Sequence, residues 1–401
     1  MHHVAARIPK RIHPASNERR GVVAALLLMT LVVLIGVGAL ALNWTWLTSH
    51  KVQLQRACEA AVLAGAAQLL DPTAGVTPPT PNVAAEARVA AAKEQARAFF
   101  TPNSNTILQT TGLNPDIVAG WCENPTQPNA AVTPWTGTGS VNTLSVRGVR
   151  RRSNGQGVTM WFGNFFGVSS AEPAASATAS MDQRIYGFRP LEYVPVPMVP
   201  LMVPSNVQWP SGAVGTTSGM SDNYTVAPRT GAVSTGPDQV AEVTFYAPLT
   251  GGTTPPGQTA ATWLRFPDLA NNYDVLALQV RDGIEDVDLQ GIGGEIALGI
   301  DGTYSIPAAA APNVAQADQL VSTLLAIRGQ KRIWPVGSLV AGDNQSTCRI
   351  TGFVAGCVVN CTRNDSSLTI VVQGCTLQTC TGLLRTGMAR NPWIGKVVLN
   401  Q

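Results

Sequence analysis

Hydrophobic positions follow three patterns along this chain. From Gly21 to Leu42 they form one run without a charge, whose single polar side chain is Thr30. Beyond it the larger apolar residues are spaced out at Leu47, Val52, Leu54, Val62, Leu63, Leu69 and Leu70, with Ala57, Ala61, Ala64 and Gly65 filling the intervals. That spacing is helical, and no breaker interrupts it before Asp71-Pro72. One helix from about Arg20 to Leu70 is therefore predicted, about 75 Å long at 1.5 Å per residue. A turn-rich break at Pro78–Pro81 precedes a second Ala-rich helix, Val83 to Phe100, expected to fold back on the first as a hairpin.

From Thr101 the period changes. Short apolar groups alternate with Gly, Pro, Asn and Thr, as in strands and turns. Leu144, Val146 and Val149 read as one strand, and Ala175, Ala177 and Ala179 as another with a tightly packed face. An aromatic segment, Val158 to Gly167, lies between them. Prolines punctuate 186–212, which reads as an extended connector or edge segment. Strands are expected at Val240–Tyr246, Trp263–Phe266 and Val275–Val280. Ile296–Ile300 and Thr303–Ile306 read as a hairpin around Asp301-Gly302. Asn313 to Ile327 reads as an amphipathic helix with Asn313 as N-cap and Gly329 as terminator. Four more strands follow: Ile333–Val336, Cys348–Val359, Leu368–Val372 and Lys396–Leu399. The fold class is α+β, a long anchoring helix and helical hairpin followed by a β-rich region with one amphipathic helix. The divisions are 1–20 (basic tail), 21–42 (span), 43–100 (stalk and hairpin), 101–185 (first β-rich region), 186–235 (Pro/Gly-rich connector) and 236–401 (second β-rich region).

Composition agrees with that division. Charged residues are 13% of the chain, against 38 Gly and 28 Pro, which favours strands and turns. The tail carries Arg7, Lys10, Arg11, Arg19 and Arg20 against Glu18, enough to account for the whole net charge of +3. The near-neutral remainder has no footprint for nucleic acid. Its one basic cluster, Arg147, Arg150, Arg151 and Arg152, reads as a solvated turn beside Asn154-Gly155. The run from Gly21 to Leu42 is long enough to cross roughly 30 Å of hydrocarbon. Basic residues before it predict a cytoplasmic N-terminus and an exported remainder, and Trp44 and Trp46 stand where an interfacial aromatic belt belongs. Ala39-Leu40-Ala41 also satisfies the pattern of a signal-peptide cleavage site, so an anchor and a cleaved leader are both open at this point. The anchor predicts a single-pass protein of a bacterial inner membrane. The small-residue face (Ala57, Ala61, Ala64, Gly65) permits close approach of another helix, from this chain or a second copy.

The run Leu54-Gln55-Arg56-Ala57-Cys58-Glu59-Ala60-Ala61-Val62-Leu63-Ala64-Gly65-Ala66, coming after Arg19-Arg20-Gly21 and the apolar span, resembles the N-terminal segment of TadG-like proteins of Flp pilus assembly. The stretches Asn142–Met181, Ile327–Gln330, Arg332–Val336 and Ile350–Phe353 are similar more loosely. The chain departs from the family in having Cys58 at a small-residue position and Asn43 where an Asp commonly follows the span. No acid occurs in Val22–Leu26 to support prepilin-type processing after Gly21. Asp343-Asn344-Gln345-Ser346-Thr347 lacks the spacing of the metal motif some larger relatives carry. The resemblance implies a membrane-anchored role beside other pilus-assembly or envelope proteins, with no cofactor.

Catalytic chemistry finds little support. The four histidines are His2, His3, His13 and His50. The region beyond His50 therefore lacks the imidazole that a Ser–His–acid hydrolase or a common catalytic zinc site requires. Asp282, Glu285, Asp286 and Asp288 read as a solvated turn without calcium-loop spacing. Among the seven cysteines, Cys348, Cys357, Cys361, Cys375 and Cys380 cluster near the end, with Cys122 beside Trp121 and Cys58 on the stalk. In an exported protein such clustering predicts disulfides; an odd count leaves one over, for which Cys58 is the expectation. The function expected is non-enzymatic, an accessory of Flp-type pilus assembly or surface adhesion. The alternatives are a surface glycan- or matrix-binding protein on the same anchor, and a carboxylate-based glycan hydrolase with a cleft lined by Trp209, Trp263 or Trp334.

Overall fold

The computed structural model describes residues 17–400 except 72–82, 105–112, 128–129, 210–220, 229, 254–259, 267–272 and 342–345. Tail residues 1–16, the Pro72 stop, the Pro78–Pro81 break and Pro210 lie outside the described residues.

The first helix, α1, spans Asn17–Ala66 and runs on into a 3-10 turn at Ala67–Leu69. The second, α2, spans Val83–Ser104, one turn longer than the apolar pattern predicts. Pro102 is tolerated there because the ladder is already ending. The two helices run antiparallel. Arg88 pairs with Asp71 at 3.1 Å, and Leu54 and Phe100 both press on Gly148.

Alanine makes this hairpin tight. Leu54, Ala57, Cys58, Ala61, Val62, Ala66 and Leu69 of α1 join Ala85, Val89, Ala92, Ala96 and Phe100 of α2 in one buried cluster. The cluster continues into a six-stranded sheet. Its order is Leu377–Gln378, Ile394–Asn400, Ala174–Asp182, Thr143–Val149, Asp116–Trp121, Thr133–Pro134. Ala175, Ala177 and Ala179 turn one face of their strand onto the helices, as the alternation predicts. The outer half of α1 is thus the spine of a helix-on-sheet layer and does not stand free above the membrane. The last strand, Ile394–Asn400, pairs antiparallel with Ala174–Asp182, so the end of the chain returns to the layer that holds the anchor.

A second sheet of seven strands has a core on each face. Its main order is Glu242–Pro248, Ser367–Gly374, Thr347–Arg363, Lys331–Val340, Leu201–Pro204, Thr262–Trp263, with Tyr304–Pro307 added to Thr347–Arg363. The helices Tyr273–Asp282 and Val314–Ala326 cover one face, packing Leu276, Val280, Leu320 and Leu324 against Trp334, Val354 and Ile370. Phe188, Ile333, Ile350 and Phe353 fill the opposite face. Ile333 and Trp334 therefore point into different cores, the period-two pattern of a strand covered on both sides. Asn313 caps its helix as expected, accepting from Gln316 N–H at 3.0 Å while the Gln316 side chain accepts from Asn313 N–H at 2.8 Å.

Several expectations need correction. Val275–Val280 is helical, because Tyr273, Leu276, Ala277 and Val280 recur at 3.6 spacing and all four are buried. The region 186–212 is more than a connector, since Leu201–Pro204 forms an inner strand between Lys331–Val340 and Thr262–Trp263. The Asp301-Gly302 turn forms, with Gly302 at φ +72° and Thr303 donating to Asp301 through both its N–H and hydroxyl. Its flanking segments, however, pair elsewhere: Ile296–Ala297 with Ile185–Phe188, and Tyr304–Pro307 with Thr347–Arg363.

Candidate functional site: the anchor and its seat

Within the run from Gly21 to Leu42, the described side chains from Val22 onward face outward, with Ala39 the one buried exception at 8% exposure. The Thr30 hydroxyl donates to Leu26 O at 2.8 Å, so it presents no unmet polar group to hydrocarbon. A helix of this length and apolarity, exposed over nearly all of its surface, matches a membrane span. The chain carries one such helix among its described residues and is a single-pass membrane protein.

Where the span ends, the domain begins to grip it. Asn43 is buried, and its side-chain oxygen accepts from Phe162 N–H at 3.3 Å. Trp46 stacks edge-on against His50 at 4.6 Å and lies 5.5 Å from Trp161, while Trp44 stays exposed. A cavity of about 250 Å³ opens among Leu42, Asn43, Thr45, Trp46, Ser49 and Trp161. A groove of about 660 Å³ runs beside Trp44, Thr48, Val52, Arg56 and Asn103.

His50 is buried and neither ring nitrogen has a hydrogen-bond partner. Burial, and then the nearby Arg150 charge, push its pKa below the ordinary histidine value. Arg150 is itself buried, donating from its guanidinium to Ser104 O at 3.2 Å. The basic cluster is therefore not wholly solvated: Arg147, Arg151 and Arg152 are exposed, whereas Arg150 ties the end of α2 to the sheet.

The small-residue face of α1 is occupied from within the chain. Ala57 and Ala61 are fully buried and Ala64 is half-buried. A β-carbon on Gly65 would come within 2.4 Å of a Leu144 methyl and 2.8 Å of Ala92 O, so glycine lets helix, helix and strand meet there. Nearby, Arg184 forks onto Asp182 and reaches Asn124 at 2.7 Å, while Arg390 stacks over Trp121 at 4.1 Å. Beside them the Gln183 amide donates to Asp71 O at 2.8 Å and accepts from Asp71 N–H at 3.4 Å, joining the hairpin's far end to the sheet.

The disulfide expectation finds no support in the structure, where all seven cysteines are free thiols. They are distributed among different environments. Cys348 lies in one core of the large sheet and Cys361 in the other; burial pushes each thiol up to about 12. Cys122 takes a contact from Asn400 at 3.7 Å, and Cys380 is exposed. Cys357 and Cys375 do meet, their sulfurs 3.7 Å apart. The Cys357 thiol is held below the usual range by that neighbour, and Cys375 is raised by it. Cys58 is buried against Ala175 O at 3.5 Å and pushed up to about 11, so it is not presented to another chain.

The acidic group at 282–288 serves the backbone. Asp288 accepts from Glu285 N–H and from the Gln279 amide, both at 2.8 Å, and Asp282 pairs with Arg281. Trp263 and Trp334 are core residues, and Trp209 packs on Trp334 at 6.4 Å while donating to Ala355 O. Among the described residues, no three His, Cys, Asp or Glu side chains cluster as metal ligands. Sequence reasoning missed the seat at Asn43 and Trp161. Its one visible sign was a polar residue directly after the span followed, far along the chain, by an unusually aromatic turn.

No curated protein and no solved structure matches the chain. Residues 21–68 match the Tad family model, Flp pilus-assembly TadE/G-like, and that interval covers the span, the gripped turn and the small-residue half of α1. The apolar anchor that becomes the spine of the first layer is thus similar, over residues 21–68, to the TadE/G-like segment of Flp pilus assembly, the resemblance its residues led one to expect.

Proposed function

We propose that this chain is a non-enzymatic accessory of Flp-type pilus assembly, held in a bacterial inner membrane with its N-terminus in the cytoplasm and residues 43–401 exported. The reading rests on the TadE/G-like match over residues 21–68. The basic tail supports the orientation through the bias of positive charge toward the cytoplasmic side. Mechanically the protein is a tether. One unbroken helix carries the position of the span into a layered domain, so that partners in the pilus machinery meet a surface of fixed height above the bilayer.

Two results test this. Deletion of the gene in the organism that makes the protein should reduce Flp pili on electron micrographs, with recovery on complementation; a full complement of pili in the deletion strain would refute the role. A membrane-impermeant maleimide added to intact spheroplasts should label the exposed Cys380. Labelling that needs permeabilised membranes would reverse the orientation.

A further inference from the structure

We propose that the loop joining Val149 to Ala174 is a second membrane contact, an aromatic finger that enters the bilayer interface beside the span. This rests on the span being in a membrane, and it adds which other part of the chain touches lipid.

The loop is built to hold a shape. Arg150 N–H donates to Pro173 O at 3.1 Å, Val158–Thr159 pairs with Ser170–Ala171, and Met160 and Val168 N–H donate to Ser169 O and Gly163 O. Gly163 packs so closely under Val168 that a β-carbon would lie 1.8 Å from that carbonyl. Such a closed turn would normally bury its aromatic side chain inward. Here Trp161 is 71% exposed and Val168 44% exposed.

The height of the finger identifies what covers it. Phe162 is tied to Asn43, the first residue past the span, and Trp161 lies against Trp46. At 1.5 Å per residue, Trp46 stands about 6 Å beyond Leu42, the level at which indole rings sit between hydrocarbon and headgroups. The chain also covers Ala39, one turn inside the apolar run. Trp161 lines one cavity with Leu42, the last residue of the apolar run, so its exposed surface lies at the end of the span. Arg151 and Arg152 are exposed at the base of the finger, where phosphates of anionic lipids would meet them. An apolar tip below and cations above is the polarity of one bilayer leaflet, so the occupant is lipid.

The test uses the full chain in nanodiscs of phosphatidylcholine and phosphatidylglycerol brominated near the glycerol end of the acyl chains. Trp161→Phe removes one fluorophore and keeps an aromatic tip. Bromine quenching of the wild-type protein should exceed that of the variant, by roughly a third of the quenched signal if Trp44, Trp46 and Trp161 share that level. Equal quenching in the two proteins would overturn the finger while leaving the span intact. No quenching in either would overturn both. In native membranes, a benzophenone side chain at position 168 should cross-link to phospholipid; cross-linking to another envelope protein instead would make the finger a protein contact and overturn the proposal.

Discussion

The two halves of α1 are equally helical and meet opposite surroundings. From Val22 to Leu42 the helix shows bulky side chains outward, with Leu26, Leu34 and Ile35 each more than 60% exposed. From Leu54 to Ala66 it turns Ala57, Ala61 and Val62 wholly inward. The difference is side-chain size rather than apolarity alone. Bulky aliphatics suit lipid tails, which conform to any surface. Small residues suit another backbone, because they permit the close approach seen where Gly65 meets Leu144 and Ala92. Asn43 marks the change, its oxygen held by the Phe162 N–H.

The largest effect is expected in the buried half. Phe100→Ala empties a fully buried position between α1 and the sheet and should cost about 3–5 kcal/mol in urea unfolding of the detergent-solubilised protein. Leu34→Arg attacks the other half. A charge near the centre of the span costs about 2.5–3.5 kcal/mol of insertion, so the variant should leak into the soluble fraction while its domain keeps the wild-type urea midpoint. Overfilling sharpens the contrast: Ala61→Leu should destabilise the domain by about 1–3 kcal/mol, whereas Ala25→Leu, in the exposed run, should leave the midpoint unchanged. If both enlargements behaved alike, side-chain size would not distinguish the two halves.

The boundary between the halves should respond to pH. His50 has its folded pKa lowered by burial and by Arg150, so the unfolded chain binds the proton more readily. Stability is then constant above the unfolded value of about 6.5 and falls as pH drops below it, by at most about 1.4 kcal/mol per pH unit. His50→Phe should flatten unfolding free energy between neutral pH and about pH 5 relative to wild type. A smaller change is expected far from the helix, where Cys357 and Cys375 lie 3.7 Å apart. Incubation with oxidised glutathione should join this pair through thiol–disulfide exchange, readable by peptide mass spectrometry without reductant, while Cys58, Cys348 and Cys361 stay reduced in the folded protein.

Much of this was readable in the chain. The unbroken periodicity of α1, the Ala alternation at 175–179 and the Asn313 cap each arise from neighbours within a few residues, and each appears in the structure. What the sequence could not carry is pairing between distant segments. A face of Ala57, Ala61 and Gly65 reads alike whether it meets a second molecule or its own sheet; Leu144 and Ala92 decide that. Arg150 looks like its exposed neighbours until Ser104 O is found at its guanidinium. Leu201–Pro204 lies in a proline-rich stretch that suggests an edge, and becomes an inner strand through distant partners. The Tyr273–Asp282 helix was missed because four β-branched or bulky residues in six positions resemble a strand.

The most direct test of the account is alkaline carbonate extraction of membranes containing either the full chain or a chain lacking residues 22–42. The account predicts the full chain in the lipid pellet and the shortened chain in the supernatant, still folded because the core from Leu54 to Phe100 is intact. A full chain released by carbonate, or a shortened chain retained in the pellet, would contradict it.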